Sequence, residues 1–308
     1  MIVGMQKSGM RIFQVDAFTQ ARFSGNPATV VLDAAELDDS ALQAIAREYA
    51  HAETAFVLPA TSADHDLRVR FFNARKEAPF VGHATIAAHA VLLQLGERSP
   101  GILRQRSGIG VIEVSATRDP GAHQAAATFG FRQSLADLSE PMPAGLISRI
   151  ASALKLPTRS IHATLPVQVA RKGSTRLLLP VENDAALAQL DPDFDALIAL
   201  GHEAGCDGYF VFAATTATAI PTTSSRMFCP ALGIREDPVS GNAHAMLASY
   251  LWKHGRIAAG TRKLIGHQGS HMGRPGEVHV TLELLHEELQ AVQIGGNAVV
   301  VSAGVLEI

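Results

Sequence analysis

Cysteine is all but missing: Cys206 and Cys229 are the whole supply in 308 residues, too few for a disulfide framework or a cysteine metal cluster. Long apolar runs are missing too. No stretch approaches the roughly 20 apolar residues that a membrane span requires, and residues 1–10, with one lysine, lack the apolar centre of a secretion signal. There is no excess of basic charge, 26 Lys and Arg standing against 29 Asp and Glu for a net charge of −3. A phosphate backbone therefore finds no electrostatic footprint, and nucleic acid is excluded as a partner. The chain also lacks a GxSxG elbow, a P-loop and a dinucleotide fingerprint, so serine hydrolase, NTPase and dehydrogenase readings have no support. What these absences leave is a cytoplasmic protein with no cofactor and no membrane partner, acting on a small molecule.

The length and the 47% hydrophobic composition predict two domains of ordinary globular type. Residues 11–18 and 25–32 read as strands joined by a Gly25-Asn26-Pro27 turn. Asp38-Asp39-Ser40 opens a helix whose one face carries Leu42, Ile45, Ala46 and Tyr49. Strands follow at 51–59, 67–72, 110–116 and 124–129. The least patterned stretch, 119–143, is where the chain is expected to cross between domains. Beyond it come a helix around Leu146, Ile147, Ile150 and Leu154, strands at 167–170 and 176–179, and a helix begun by Asp191-Pro192-Asp193. A strand at 206–213, and final strands at 278–285 and 298–308, complete the pattern. Strand-rich halves that each hold one long apolar helix predict an α+β fold. The expected domains are 1–126, completed by the C-terminal strand 296–308, and 127–295.

One unit occurs twice. Residues 226–244 read as a strand, a loop, the acidic pair Glu236-Asp237, a Gly241 turn and a helix stopping at Gly255. Residues 70–83 repeat this with a helix ending near Gly96. An offset of 159 positions pairs Gly82 with Gly241, His83 with Asn242, Glu77 with Glu236, Pro79 with Pro238, Leu92 with Leu251 and Gly96 with Gly255, and places Asp237 on Ala78. The sequel repeats loosely from Gln105 and from Gln268. The simplest use of such a duplication is two facing half-sites, because a helix N-terminus directs unpaired N–H groups at an anion such as a carboxylate.

Three side chains in or near these units could move a proton. His83 sits where the helix dipole disfavours an imidazolium, so it would stay neutral and could relay a proton; equally, it could simply cap the helix. Asp237 could carry a proton or merely complement the dipole. Glu53 lies near a strand start, where an acid is ordinarily solvated. His83 and His89 are too far apart around a helix to share a metal. His267 and His271 have zinc-like spacing, but the glycines around them deny them a helix, and no metal is expected.

Residues 18–31 with Gly25-Asn26-Pro27, residues 52–57 (Ala-Glu-Thr-Ala-Phe-Val), residues 77–83 (Glu-Ala-Pro-Phe-Val-Gly-His), residues 236–241 (Glu-Asp-Pro-Val-Ser-Gly), and Gln268-Gly269 with Met272-Gly273-Arg274-Pro275-Gly276 together resemble the PhzF phenazine-biosynthesis family. The resemblance covers nearly the whole chain in order. It implies the diaminopimelate epimerase-like fold: two pseudosymmetric domains, each a curved, mostly antiparallel sheet or barrel wrapped around a central helix, with the site in the cleft. It also implies a cofactor-independent isomerase, often a homodimer, in which Glu53 is the main acid/base, His83 and Asp237 assist, and Ala52, Gly82, Gly241 and Asn242 surround the substrate. Ala52 and Asn242 stand where the phenazine enzyme has serines, which implies a different pocket. The amino-acid racemases related to it carry a cysteine just before each repeat glycine; Val81 and Ser240 occupy those places here, which excludes two-thiol racemisation.

The expected function is proton transfer on a small carboxylate substrate by general acid/base catalysis. The alternative is a non-catalytic small-molecule binder that keeps the fold.

Overall fold

In the computed structural model, the described residues are 9–49, 53–118, 127–215 and 222–307. The chain divides into two compact units, Met1–Phe131 with Gly296–Ile308, and Arg132–Gly295.

In the first unit the order is β1 (Met10–Ala17), β2 (Asn26–Val31), α1 (Asp39–Tyr49), β3 (Thr54–Pro59), β4 (Leu67–Phe72), β5 (Glu77–Ala78), α2 (Gly82–Gln94), β6 (Gly101–Ser107), β7 (Gly110–Arg118) and the start of β8 (Ala127–Ser134). Strands β1 to β4 carry buried apolar residues on both faces because both faces are covered. Val15, Val30, Ala55, Val69 and Phe71 pack on α2 through Ala84, Ala87, Ala88 and Val91. Ile12, Val31, Phe56 and Phe72 point the other way, into Leu42, Ile45 and Ala46 of α1. Ten of the thirteen α2 residues are buried, which explains its alanine content: small side chains let the sheet close on every side of the helix. A larger side chain at Ala87 or Ala88 would over-pack this layer, at a cost of about 1–3 kcal/mol.

The second unit continues with β9 (Asp137–Leu138), α3 (Ala144–Ala153), β10 (Gln168–Arg171), β11 (Thr175–Pro180), α4 (Asp184–Ala188), α5 (Phe194–Ala204), β12 (Gly208–Thr215), β13 (Thr222–Cys229), β14 (Ile234–Asp237), α6 (Gly241–Lys253), β15 (Lys263–Gln268), β16 (Gly276–Leu285) and β17 (Glu288–Leu306). Tyr209 and Val211 of β12 join the α3 and α5 core. Phe210 and Phe212 alternate to the other face and meet His244 and Tyr250 of α6 edge-on.

Strand pairing runs the same way in both units. From β1 to β8 the successive pairs are β1–β2 antiparallel, β2–β3 parallel, β3–β4 and β4–β5 antiparallel, β4–β6 parallel, then β6–β7 and β7–β8 antiparallel. The series β10–β11, β11–β12, β12–β13, β13–β14, β13–β15, β15–β16 and β16–β17 has the same senses in the same order. The last strand is long enough that its second half pairs with β1, Phe13 opposite Ala303.

Local geometry repeats with the topology. Arg70 grips Glu77 with two nitrogens at 2.8 and 2.7 Å, and Arg226 grips Glu236 at 2.9 and 2.8 Å. Each guanidinium also lies 5.0 Å over a phenylalanine ring two residues on, Phe72 and Phe228. Both central helices end in a Schellman turn: Glu97 N–H reaches the Leu92 carbonyl and Arg256 N–H the Leu251 carbonyl, at 2.9 Å each, around Gly96 and Gly255 at φ +73° and +61°. The arginines are three positions out of step with the rest of the repeat because a short helical turn, Pro230–Leu232, is inserted before β14.

The strand expected at 124–129 is found as β8, which begins among the described residues at Ala127 and runs on to Ser134, with Ala127, Phe129 and Phe131 buried. Residues 119–126 lie outside the described residues. β6 and β15 were not expected as strands, since polar residues fill their outward positions. β17 begins ten residues earlier than expected because Gly295-Gly296-Asn297 in its middle reads as a turn. Among the described residues no helix is long and apolar enough to cross a membrane.

Candidate active site

The glutamate and the histidine meet. Glu53 immediately precedes β3, where its carbonyl accepts from Thr29 N–H of β2 at 3.2 Å. His83 is the second residue of α2. Their side chains come together with His83 Nε2 3.4 Å from Glu53 Oε2, at 11% and 15% exposure. A solvated strand-end acid is thus not what Glu53 is: the β2–β3 pairing turns it inward. Nor does His83 cap its helix. The N-cap residue is Val81, whose side chain makes no capping hydrogen bond. Burial pushes the His83 imidazole down to about 4, so it is neutral near pH 7. A neutral imidazole 3.4 Å from a carboxylate can shift slightly to share or pass a proton.

The entrance of α6 is built differently. Ser240 is the N-cap, its hydroxyl accepting from Ala243 N–H at 3.2 Å. Asp237 closes β14 opposite Met227 and is half-buried, three residues before that cap. Gly82 and Gly241 are the first residues of α2 and α6. Asn242 follows Gly241, but its side chain is engaged: Nδ2 donates to the Lys172 carbonyl at 3.1 Å and to Ser174 Oγ at 3.0 Å. A backbone carbonyl only accepts, so the nitrogen must face it, and Asn242 holds the turn between β10 and β11. Ala52, which the resemblance places around the substrate, lies outside the described residues.

An open, polar hollow of about 650 Å³ lies along that turn, lined by Asp137, Lys172, Gly173, Ser174 and Asp207 among others; none of the candidate residues lines it. Both thiols are buried, at Cys206 and Cys229, and burial pushes them up to about 11 and about 12. Neither is a thiolate at neutral pH. Among the described residues no group of three or more His, Cys, Asp or Glu could hold a metal ion.

Two further histidines, His89 and His244, are buried and neutral. His89 gives Nε2–H to Gln105 Oε1 at 3.0 Å and takes Arg98 at Nδ1; burial, then the Arg98 charge, brings it down to about 3. His244 Nδ1 bonds the Ser240 carbonyl at 2.7 Å, and burial brings it down to about 4. For a histidine whose folded value lies below its unfolded value near 6.5, stability is fully present above 6.5 and is lost as pH falls toward the folded value. With His83, His89 and His244 acting together, the urea midpoint is expected to fall steeply between pH 6.5 and 4.5. A flat profile across that window would show that these imidazoles are protonated in the native state.

The mixed α+β fold is that of the epimerase-like isomerases. The chain belongs to the phenazine biosynthesis-like protein family, whose model matches residues 15–304. It is 35% identical over 292 residues to the uncharacterized isomerase YddE of Escherichia coli K12, covering 94% of this chain and 96% of that one. It is 30% identical over 298 residues to the trans-2,3-dihydro-3-hydroxyanthranilate isomerase of Pseudomonas aeruginosa, covering 96% and 98%. The crystal structure of a PhzF-family phenazine biosynthesis protein from Bacillus anthracis superposes with a TM-score of 0.84 at 24% identity, covering 98% and 100%, and shows the same fold.

Proposed function

We propose that this isomerase moves a proton on a small carboxylate without a cofactor, with Glu53 as the principal acid/base. The observation that carries the proposal is the Glu53–His83 pair: a carboxylate oxygen 3.4 Å from a neutral, nearly buried imidazole nitrogen. Glu53 removes a proton alpha or vinylogous to an activating group and returns it at another carbon. His83 steadies the charge or relays the proton, and Asp237 serves the second transfer. The first-turn amides of α2, which the Val81 side chain does not cap, are donors for the substrate carboxylate or for the enolate-like charge that develops.

The substrate named for the P. aeruginosa relative is the first compound to test. Asn242 and Ala52, where the phenazine enzyme has serines, favour a different small carboxylate. Asn242 has its amide nitrogen committed to the 172–174 turn, so a hydroxyl donor is not replaced by an amide donor there. A cytoplasmic homodimer completes the reading.

The test is NMR in deuterated water with a panel of cyclic, unsaturated and α-amino carboxylates that includes trans-2,3-dihydro-3-hydroxyanthranilate. Solvent deuterium appearing at a substrate carbon is the expected result. Binding by thermal shift with no exchange across the panel would overturn catalysis and leave a small-molecule binder.

A further inference from the structure

The Gln268-Gly269 motif has no task in the reading above. Gln268 ends β15 and is 2% exposed. Its carboxamide spans the turn that separates Asp237 from α6: Nε2 donates to the Asp237 carbonyl at 2.7 Å, and Oε1 accepts from Ser240 N–H at 3.1 Å. The orientation of the amide is fixed by these partners, one able only to accept and the other only to donate. Within the turn, Pro238 has no N–H to offer, so the side chain supplies a tie where the backbone has one fewer donor. The next residue seats the same turn. Gly269 lies at φ +89°, and a Cβ there would stand 2.2 Å from the Arg274 carbonyl oxygen and 2.8 Å from that of Pro238. Only glycine lets the chain pass so close.

The first repeat places its matching glutamine at the same duty by a longer route. Gln105 on β6 is fully buried. Its Nε2 reaches Thr85 Oγ1 at 3.4 Å, and the Thr85 hydroxyl donates to the Val81 carbonyl, the N-cap of α2, at 2.9 Å. Its Oε1 is occupied by His89. In both repeats a buried glutamine on the strand after the central helix therefore serves the entrance of that helix. Only Gln268 touches directly the backbone of a residue assigned to proton transfer.

We propose that Gln268 is a positioning residue for Asp237: it fixes the Asp237 backbone against the cap of α6 and thereby sets where the carboxylate can reach. This rests on the proton-transfer role given to Asp237 above. Holding a reacting group in place accounts for about 10²-fold in rate when lost by displacements near 1 Å, and residues acting as a unit are non-additive.

The experiment is a double-mutant cycle on the panel compound that exchanges deuterium, using Gln268→Leu, Asp237→Asn and both together, with Gln268→Glu as a variant that keeps the acceptor for Ser240 N–H. Gln268→Leu is expected to lower kcat by about 10²-fold while KM moves by less than about threefold. In the Asp237→Asn background the same change should cost less than about threefold. Equal costs in both backgrounds would overturn the proposal and mark Gln268 as a general packing residue. An Asp237→Asn enzyme at the wild-type rate would overturn it together with the role of Asp237, leaving the Glu53 reading standing. Hydrogen exchange at the Ser240 amide needs no substrate: it should accelerate in Gln268→Leu and stay near wild type in Gln268→Glu. Unchanged exchange in Gln268→Leu would overturn the clamp even if every panel compound proved inert.

Discussion

Replacing Glu53 by glutamine is expected to reduce solvent-deuterium exchange into the substrate by about 10²–10⁴-fold, the usual contribution of a positioned acid/base. The substitution keeps the side chain's length and shape and removes only its ability to carry a proton. The carboxylate is nearly buried and lies 3.4 Å from His83 Nε2, so no bulk-water base can easily take its place. The fold should tolerate the change. Glu53 holds its strand through its backbone carbonyl to Thr29, and glutamine leaves that bond intact. The melting temperature is therefore expected to stay within a few degrees, on the order of what a loss of under 1 kcal/mol produces. Ligand binding should survive, which separates a chemical defect from a folding one. Exchange within about tenfold of wild type would remove Glu53 from the mechanism. The same measurement on His83→Asn separates the partners: an imidazole that only steadies charge should cost less than the group that carries the proton.

The second large effect is structural. Gly266 in β15 faces His244 of α6, and a Cβ at Gly266 would stand 1.9 Å from His244 Cδ2 and 2.2 Å from Nε2. His244 is fully buried and is tied by Nδ1 to the Ser240 carbonyl, so the ring cannot swing away without breaking that hydrogen bond. Gly266→Ala is expected to destabilise the protein by about 3 kcal/mol, the upper end for an over-packed core. Chemical denaturation would read this as a lower midpoint at unchanged slope. Truncating the ring should relieve it: Gly266→Ala with His244→Ala should be more stable than the sum of the two single changes predicts, because the new methyl enters the space the ring leaves. Strict additivity would show that strand and helix do not meet as closely as the geometry indicates.

His244 and Gly266 show where sequence reading stops. By itself the sequence determined the α+β class, the two central helices with their glycine stops, the repeat that relates them, and the family. Those features are local or periodic: a helix buried on all sides must be apolar all round, a Schellman stop wants glycine, and a duplicated unit matches itself position by position. The sequence also presented Glu53, His83 and Asp237 as candidates, but it left Glu53 as readily a solvated acid and His83 as readily a helix cap. Tertiary structure decided both questions, since parallel pairing of β2 with β3 brings a residue thirty positions upstream against the entrance of α2, a contact no spacing rule encodes. It decided Asn242 as well, whose amide serves a turn some seventy residues earlier. It gave Gln268 its place at Asp237, because hydrogen bonds between residues far apart in the chain are set by how the strands stack around the helices. Local chemistry fixes what each segment can be, and only the packing of segments fixes which polar groups meet in the absence of water.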